Sequence, residues 1–156
     1  MESDFSFLFA YDRWIRFFHI AGAIVAVGAV TAIDILLAWL KFHPKAAPLV
    51  ARVAPLLSLQ VWIGFMMLSG SGLLLFLPRW RLESVFVFQL KMGLVFVVFL
   101  NGIFLNMWVT PKFKALASEW YQRTERMRKF TKIAGIAAAI SFFGWWGIVF
   151  LMLVLY

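Results

Sequence analysis

The chain has 156 residues, of which 64% are hydrophobic and only 14% are charged, and its formal net charge is +8. An average soluble domain is about 45–50% apolar and about 25% charged, so this composition excludes a water-soluble fold and predicts an integral membrane protein. The chain contains no cysteine, which excludes disulfide exchange, thiolate nucleophiles and cysteine-bound zinc or iron–sulfur clusters. The positive charge is more typical of loops that face anionic lipid than of a nucleic-acid-binding surface, so no nucleic-acid partner is expected.

Four apolar stretches follow one another along the chain and leave only short loops between them. They predict transmembrane helices over about residues 14–40, 54–77, 85–109 and 133–156, each long enough for the roughly 30 Å hydrocarbon core of a bilayer. The acidic N-terminus lacks the basic region and cleavage site of a signal peptide, so the first helix is expected to be retained. We therefore predict an all-α fold in which residues 1–156 form one transmembrane domain, a four-helix bundle.

The segment between the third and fourth predicted spans has a helical pattern of its own. Thr110 and Pro111 resemble an N-cap followed by a proline in the first helical turn, and apolar residues then recur at near-helical spacing among basic ones. This pattern predicts an additional cytoplasmic amphipathic helix over about residues 111–131, which lies on the membrane or extends a span. A solvated basic loop is the alternative interpretation.

Basic residues are divided unequally between the two sides of the predicted bundle. Ten lie in the first and third loops and four on the opposite side, with the intramembrane Lys91 left out of the comparison. Cytoplasmic loops are enriched in lysine and arginine. The imbalance therefore predicts a multi-pass protein of the cytoplasmic (inner) membrane, with both of these loops in the cytoplasm and both termini on the non-cytoplasmic side.

Ionisable side chains inside the predicted spans are the first candidates for function, because a charge there costs about 2.5–3.5 kcal/mol on insertion scales. His19 in the first span and Lys91 in the third lie at similar depth below the non-cytoplasmic surface, so they can share one layer. Asp34 lies near the other end of the first span, at a depth comparable to that of Gln60. Two further intramembrane polar residues of the third span are Asn101 and Asn106.

Small residues follow His19 along the same face of the first span. Gly22 and Ala26 lie within about 60° of His19 when each residue turns the helix by about 100°. One interpretation is close packing against another helix, as in many membrane bundles. The other is a slot for a flat ligand such as a tetrapyrrole or a quinone, to which the inward faces of the second and fourth spans would add Met67 and Trp145.

Two short motifs carry a family resemblance. Residues 14–20 (WIRFFHI) and 90–92 (LKM) resemble the first and third helices of the HemJ-type protoporphyrinogen oxidases and of the wider CopD-like four-helix membrane proteins. In the HemJ-type family a histidine of the first helix is associated with haem b, and a lysine of the third helix is functionally required. The resemblance implies that His19 is an axial ligand of haem iron and that Lys91 is the partner of a propionate or of an electron acceptor.

The remainder of the first span is more similar to that of uncharacterised bacterial four-helix membrane proteins, in the spacing of its histidine, glycines, threonine and aspartate.

Three functional hypotheses follow from the residues and from these resemblances. The first is a small haem-binding redox protein, with enzymatic activity left open. The second is a non-enzymatic accessory subunit or assembly factor, working as a homo-oligomer or in a larger membrane complex. The third and weakest is a proton or ion pathway through Asp34, Gln60, Asn101 and Asn106.

Overall fold

A computed structural model describes residues 7–77, 85–122 and 124–154, and it contains long helices joined by short turns. The elements in chain order are α1 (Phe7–Trp39), a 3₁₀ turn (Pro44–Ala46), α2 (Ala47–Phe76), α3 (Val85–Phe104), a π-helical segment (Leu105–Val109), α4 (Thr110–Leu116), a second 3₁₀ segment (Ala117–Gln122) and α5 (Glu125–Val154). No strand occurs in these three ranges, so the prediction of an all-α fold built on four long helices is confirmed for the described chain.

Each of the four long helical stretches is long and apolar enough to cross a membrane. The stretches that meet this criterion are Ala10–Trp39, Pro44–Phe76, Phe88–Trp120 and Glu125–Leu153. Large apolar side chains cover their outer faces; Phe86 is 72% exposed and Leu153 is 77% exposed. Apolar surface on this scale is unfavourable in water and is compatible with contact with lipid.

The helices extend further than the predicted spans. Both α1 and α2 begin well before Trp14 and Ala54, and α5 begins at Glu125 rather than near Ile133. Hydrophobicity marks only the part of a helix that matches the bilayer core, whereas the backbone remains helical into the adjoining polar region. Some predicted features lie outside the described ranges: the N-terminal residues 1–6, the last two residues of the fourth span, and the loop positions Arg79, Arg81 and Arg123.

The segment 111–131 is not one continuous helix: its first part extends the third long helix, which the prediction allowed as one possibility, and the rest divides between two other elements. Thr110 has helical angles (φ −61°, ψ −46°) and its hydroxyl donates to the Leu105 carbonyl at 3.0 Å, so it continues the third helix rather than capping a new one. Pro111 has no N–H to donate to the carbonyl four residues earlier, and the π-helical turn precedes it. The rest of the segment forms the second 3₁₀ turn and the start of α5.

The pair formed by α1 and α2 is packed backbone to backbone. A Cβ added to Gly64 would lie 2.6 Å from the Ala26 nitrogen and 2.7 Å from the Gly22 carbonyl oxygen. A Cβ on Gly22 would lie 2.9 Å from the Gly64 carbonyl oxygen and from the Met67 Cβ. Small residues therefore bring these helices together, as is common in membrane bundles. This contact leaves no space for a ligand beside Gly22, Ala26 and Gly64.

Two apolar clusters hold the four helices together. A middle cluster combines all four, through Ala26, Val30, Leu68, Val98, Trp145 and Ile148. An end cluster joins the end of α1, the start of α2, α4 and the start of α5, and its buried residues are Leu40, Ala47, Val50, Ala51, Val109, Phe113, Ala117, Met127 and Phe130. The end cluster places residues 41–52, α4 and the start of α5 at the same end of the bundle, and these described stretches carry nine of the fifteen basic residues.

Candidate functional site

His19 is held by two groups of α2. Its Nδ1 lies 3.0 Å from the Leu68 carbonyl oxygen and 3.1 Å from the Ser71 Oγ. A carbonyl oxygen can only accept, so Nδ1 carries the hydrogen and donates it. The Ser71 hydroxyl donates its own proton to the Met67 carbonyl at 2.5 Å, which leaves its oxygen free to accept from the imidazole. This geometry fixes the ring tautomer and the direction in which the ring faces.

The opposite nitrogen of the ring is the chemically available one. When Nδ1 carries the hydrogen of a neutral imidazole, Nε2 holds an unshared pair. Within the described ranges, Nε2 has no hydrogen-bond partner. An Nδ1–H donated to a backbone carbonyl, with Nε2 left open, is the arrangement that orients a histidine as a metal ligand.

His19 lines a cavity of about 500 Å³ between the helices, here called the His19 cavity. All four long helices contribute to its wall, and most of the wall is apolar. Its lining residues are Arg16, His19, Ile20, Leu68, Ser69, Gly72, Leu73, Leu75, Phe76, Phe88, Lys91, Met92, Val95, Ile148 and Met152. The predicted common layer of His19 and Lys91 is therefore confirmed, because both side chains line one cavity.

Sequence reasoning missed three other residues at this cavity. Arg16 lies one helical turn before His19, and its Nε is 2.6 Å from the Asp12 Oδ2. Ser69 has a buried hydroxyl oxygen with no hydrogen-bond partner in the described chain. Gly72 lies against the imidazole, since a Cβ there would be 3.0 Å from the His19 Cε1. The three-residue spacing from Arg16 to His19 was the signal that could have identified the arginine.

Four residues predicted for the cofactor slot lie elsewhere. Gly22 and Ala26 lie in the α1–α2 contact, and the Met67 Cβ packs against the same contact. Trp145 is 2% exposed in the middle cluster and faces a different cavity. The small-residue face of α1 is therefore a packing surface, and the open space lies instead on the far side of His19, toward α3 and α5.

Asp34 lines a second cavity of about 120 Å³, here called the central cavity. Its Oδ2 is buried and has no hydrogen-bond partner among the described residues. The other predicted polar residues do not gather around it. Asn101 donates from Nδ2 to the Ala137 carbonyl at 2.9 Å, which ties α3 to α5, whereas Gln60 and Asn106 are exposed. The four polar residues of the third hypothesis therefore do not form one connected group in the described chain.

The two cavities share none of their lining residues. The middle cluster lies between them, because Leu68 and Ile148 face the His19 cavity while Val30, Val98 and Trp145 face the central one. His19 and Asp34 are also fifteen residues apart on α1, which corresponds to about 22 Å along a helix. This apolar partition separates the two polar sites and is unfavourable for a continuous proton or ion pathway.

Comparison of the chain with protein-family models, with curated proteins and with solved structures gives no match. The described residues contain no group of three or more histidine, aspartate or glutamate side chains able to hold a metal ion. A metal that arrives in a macrocycle needs only one or two axial ligands from the protein. A single oriented imidazole beside a large, mostly apolar cavity fits that requirement.

Proposed function

We propose that this chain is a small membrane redox protein that binds haem b in the His19 cavity, with His19 as an axial ligand. The observation that carries the proposal is the hydrogen bonding of the imidazole. Nδ1 donates to the Leu68 carbonyl, and this leaves the Nε2 electron pair available beside a cavity of about 500 Å³. Histidine is an established axial ligand of haem iron.

The size and polarity of the cavity support a haem ligand. Pockets for compact organic ligands enclose about 300–1,000 Å³ and are mainly apolar with a few placed polar groups. Haem b has an apolar macrocycle and two anionic propionates, and the cavity offers an apolar wall with two cations, Arg16 and Lys91. The buried Ser69 hydroxyl is a further donor for a carboxylate oxygen. Opposite charges brought together in this way reduce the cost of placing either one in the membrane.

Two methionines could supply a second ligand to the haem iron. Met92 of α3 and Met152 of α5 both line the His19 cavity, and a thioether paired with imidazole is a known axial set. When bound, haem would supply one-electron transfer, and the protein would tune it through the axial ligand and the surrounding polarity. Lys91 would then pair with a propionate, or it would attract an anionic electron acceptor.

We propose further that the protein crosses the cytoplasmic membrane four times with both termini on the non-cytoplasmic side. Support comes from the four apolar helices and from the basic loops at one end of the bundle. In this orientation the His19 cavity lies toward the non-cytoplasmic surface and the α4–α5 connection lies in the cytoplasm. The long exposed apolar faces are in contact with lipid, or with a second subunit.

An absorption spectrum of the purified full chain tests the proposal. Protein from haem-replete cells is expected to show a Soret band that His19→Ala removes and Lys91→Met shifts or weakens. His43→Ala is the matched control, because His43 is exposed in the loop after α1 and stacks on Trp39. A colourless wild-type protein that also fails to bind added haemin would contradict the proposal, and the accessory-subunit hypothesis would then take precedence.

A further inference from the structure

The central cavity has an aromatic wall. Aromatic side chains from α2, α3, α4, the second 3₁₀ segment and α5 line it. Six of them are Trp62, Phe65, Phe99, Phe113, Trp120 and Trp145. Several of these rings contact one another: Phe65 and Phe99 stack at 5.6 Å between centroids, and Trp62 meets the edge of Phe99 at 5.9 Å. Trp62, Phe65, Phe99 and Trp145 form one group of contacting rings, and Phe113 and Trp120, which meet edge to face at 5.1 Å, belong to a second.

Among the described residues that line this cavity, Asp34 is the one that carries a charge. Its Oδ2 is buried without a hydrogen-bond partner in the described chain. The described part of the lining contains no lysine, arginine or histidine that could balance it. A buried carboxylate without a partner is costly, and that cost falls when a cation is placed beside it. The cavity thus combines several aromatic lining residues with one partly buried carboxylate, whose Oδ2 has no hydrogen-bond partner in the described chain.

We propose that the central cavity binds a small organic cation, an ammonium that carries alkyl groups, with Asp34 as its counter-ion. Aromatic faces attract such cations through the negative charge of the ring face, and they do so most strongly when water is excluded. A volume of about 120 Å³ suits a compact head group of this kind.

The chemistry of the wall distinguishes this ligand from a metal ion. Calcium takes six to eight oxygen ligands and magnesium a near-octahedral set. The central cavity offers only Asp34 and the hydroxyls of Ser58, Thr110 and Ser141 as side-chain oxygens. A polarisable organic cation needs few oxygens and many aromatic faces, which is what the lining provides.

The backbone beside the cavity is irregular in the same place. Leu105 and Val109, the first and last residues of the π-helical segment, both line the central cavity. Single π-helical turns inside longer helices occur frequently at functional sites. This site is independent of haem binding, because the apolar middle cluster separates the two cavities and they share none of their lining residues.

Tryptophan fluorescence and calorimetric titration of the full chain in nanodiscs test this proposal. The probes are choline and its uncharged isostere, the dimethylbutanol in which carbon replaces the quaternary nitrogen. We expect choline to bind at least about tenfold more tightly than the alcohol. Asp34→Asn should remove that preference, whereas Asp12→Asn, the same change near the start of α1, should retain it.

A second pair of variants keeps the test decisive if Asp34→Asn fails to fold. Trp62→Leu removes one aromatic face of the cavity and should weaken choline binding, whereas Trp146→Leu changes an exposed ring on α5 and should not. Equal affinity for choline and the alcohol would overturn the proposal. Choline binding unchanged by Asp34→Asn, or no choline binding by the folded wild-type protein, would also overturn it.

Discussion

At the scale of single residues, the site depends on how α2 orients His19. Because Ser71 is the second acceptor for the imidazole Nδ1–H, Ser71→Ala should leave the Leu68 bond in place but loosen the ring. Loss of a supporting hydrogen bond of this kind typically lowers affinity by about 10-fold to 100-fold. Haemin titration should show a loss in that range, smaller than the loss in His19→Ala. Ser58→Ala, in the other cavity, is the control, and equal affinity in the two serine variants would contradict this role for Ser71.

For Asp34 we predict that removing the charge does not destabilise the protein. Its buried Oδ2 has no hydrogen-bond partner in the described chain. Replacing the carboxylate by an amide therefore removes the desolvation cost of an unpaired charge. We expect the free energy of unfolding of Asp34→Asn to lie within about 1 kcal/mol of the wild-type value, or to exceed it. Chemical unfolding in mild detergent measures the difference. A loss of several kcal/mol would show that the carboxylate has a stabilising partner.

Single residues also show what the sequence could and could not predict. The common layer of His19 and Lys91 follows from helical rise alone, and it was confirmed. Gly22 was ambiguous, because small residues serve both helix packing and ligand slots, and only the position of α2 decides between them. The exposed position of Gln60 depends on how α2 is rotated, which no single-chain pattern specifies.

At the scale of helices, the α1–α2 contact is the closest approach of one backbone to another among the described glycines. Gly64→Ala would place a Cβ 2.6 Å from the Ala26 nitrogen, and overpacking of this kind commonly costs about 1–3 kcal/mol. Gly70→Ala is the matched control on the same helix, because nothing lies within 4 Å of its added Cβ. The control should be neutral or slightly stabilising. Thermal unfolding that shows the same midpoint for both variants would contradict the packing described here.

The third long helical stretch (Phe88–Trp120) shows why the sequence did not fix where the helix predicted over 111–131 begins and ends. Thr110 followed by Pro111 has the composition of a helix start, and a proline in the first turn is normally read in that way. Here the preceding helix is already anchored by Val109 and by the Thr110 hydroxyl bond to Leu105, so the backbone continues through a π-helical turn. Tertiary contacts of the end cluster decide this outcome, and they are absent from any local pattern.

At the scale of the whole molecule, the orientation in the membrane can be measured without background labelling, because the chain has no cysteine. Lys114→Cys, at an exposed position of α4, should react with a membrane-impermeant maleimide only after the inner membrane is opened. Arg13→Cys, exposed near the start of α1, should react in intact cells whose outer barrier is permeable. The reverse pattern of labelling would invert the topology and place the His19 cavity near the cytoplasm.

All four long helices contribute residues to the His19 cavity, so the cavity exists only in the assembled bundle.

The most direct test of haem ligation by His19 removes the imidazole side chain and then supplies free imidazole in its place. His19→Gly protein, loaded with haemin, should lack the wild-type Soret band and should regain it when free imidazole fills the space of the side chain. Pyrrole, which has a similar shape but no available nitrogen pair, should not restore it. A wild-type band in His19→Gly without imidazole would contradict ligation by His19, as would a variant that imidazole leaves unchanged.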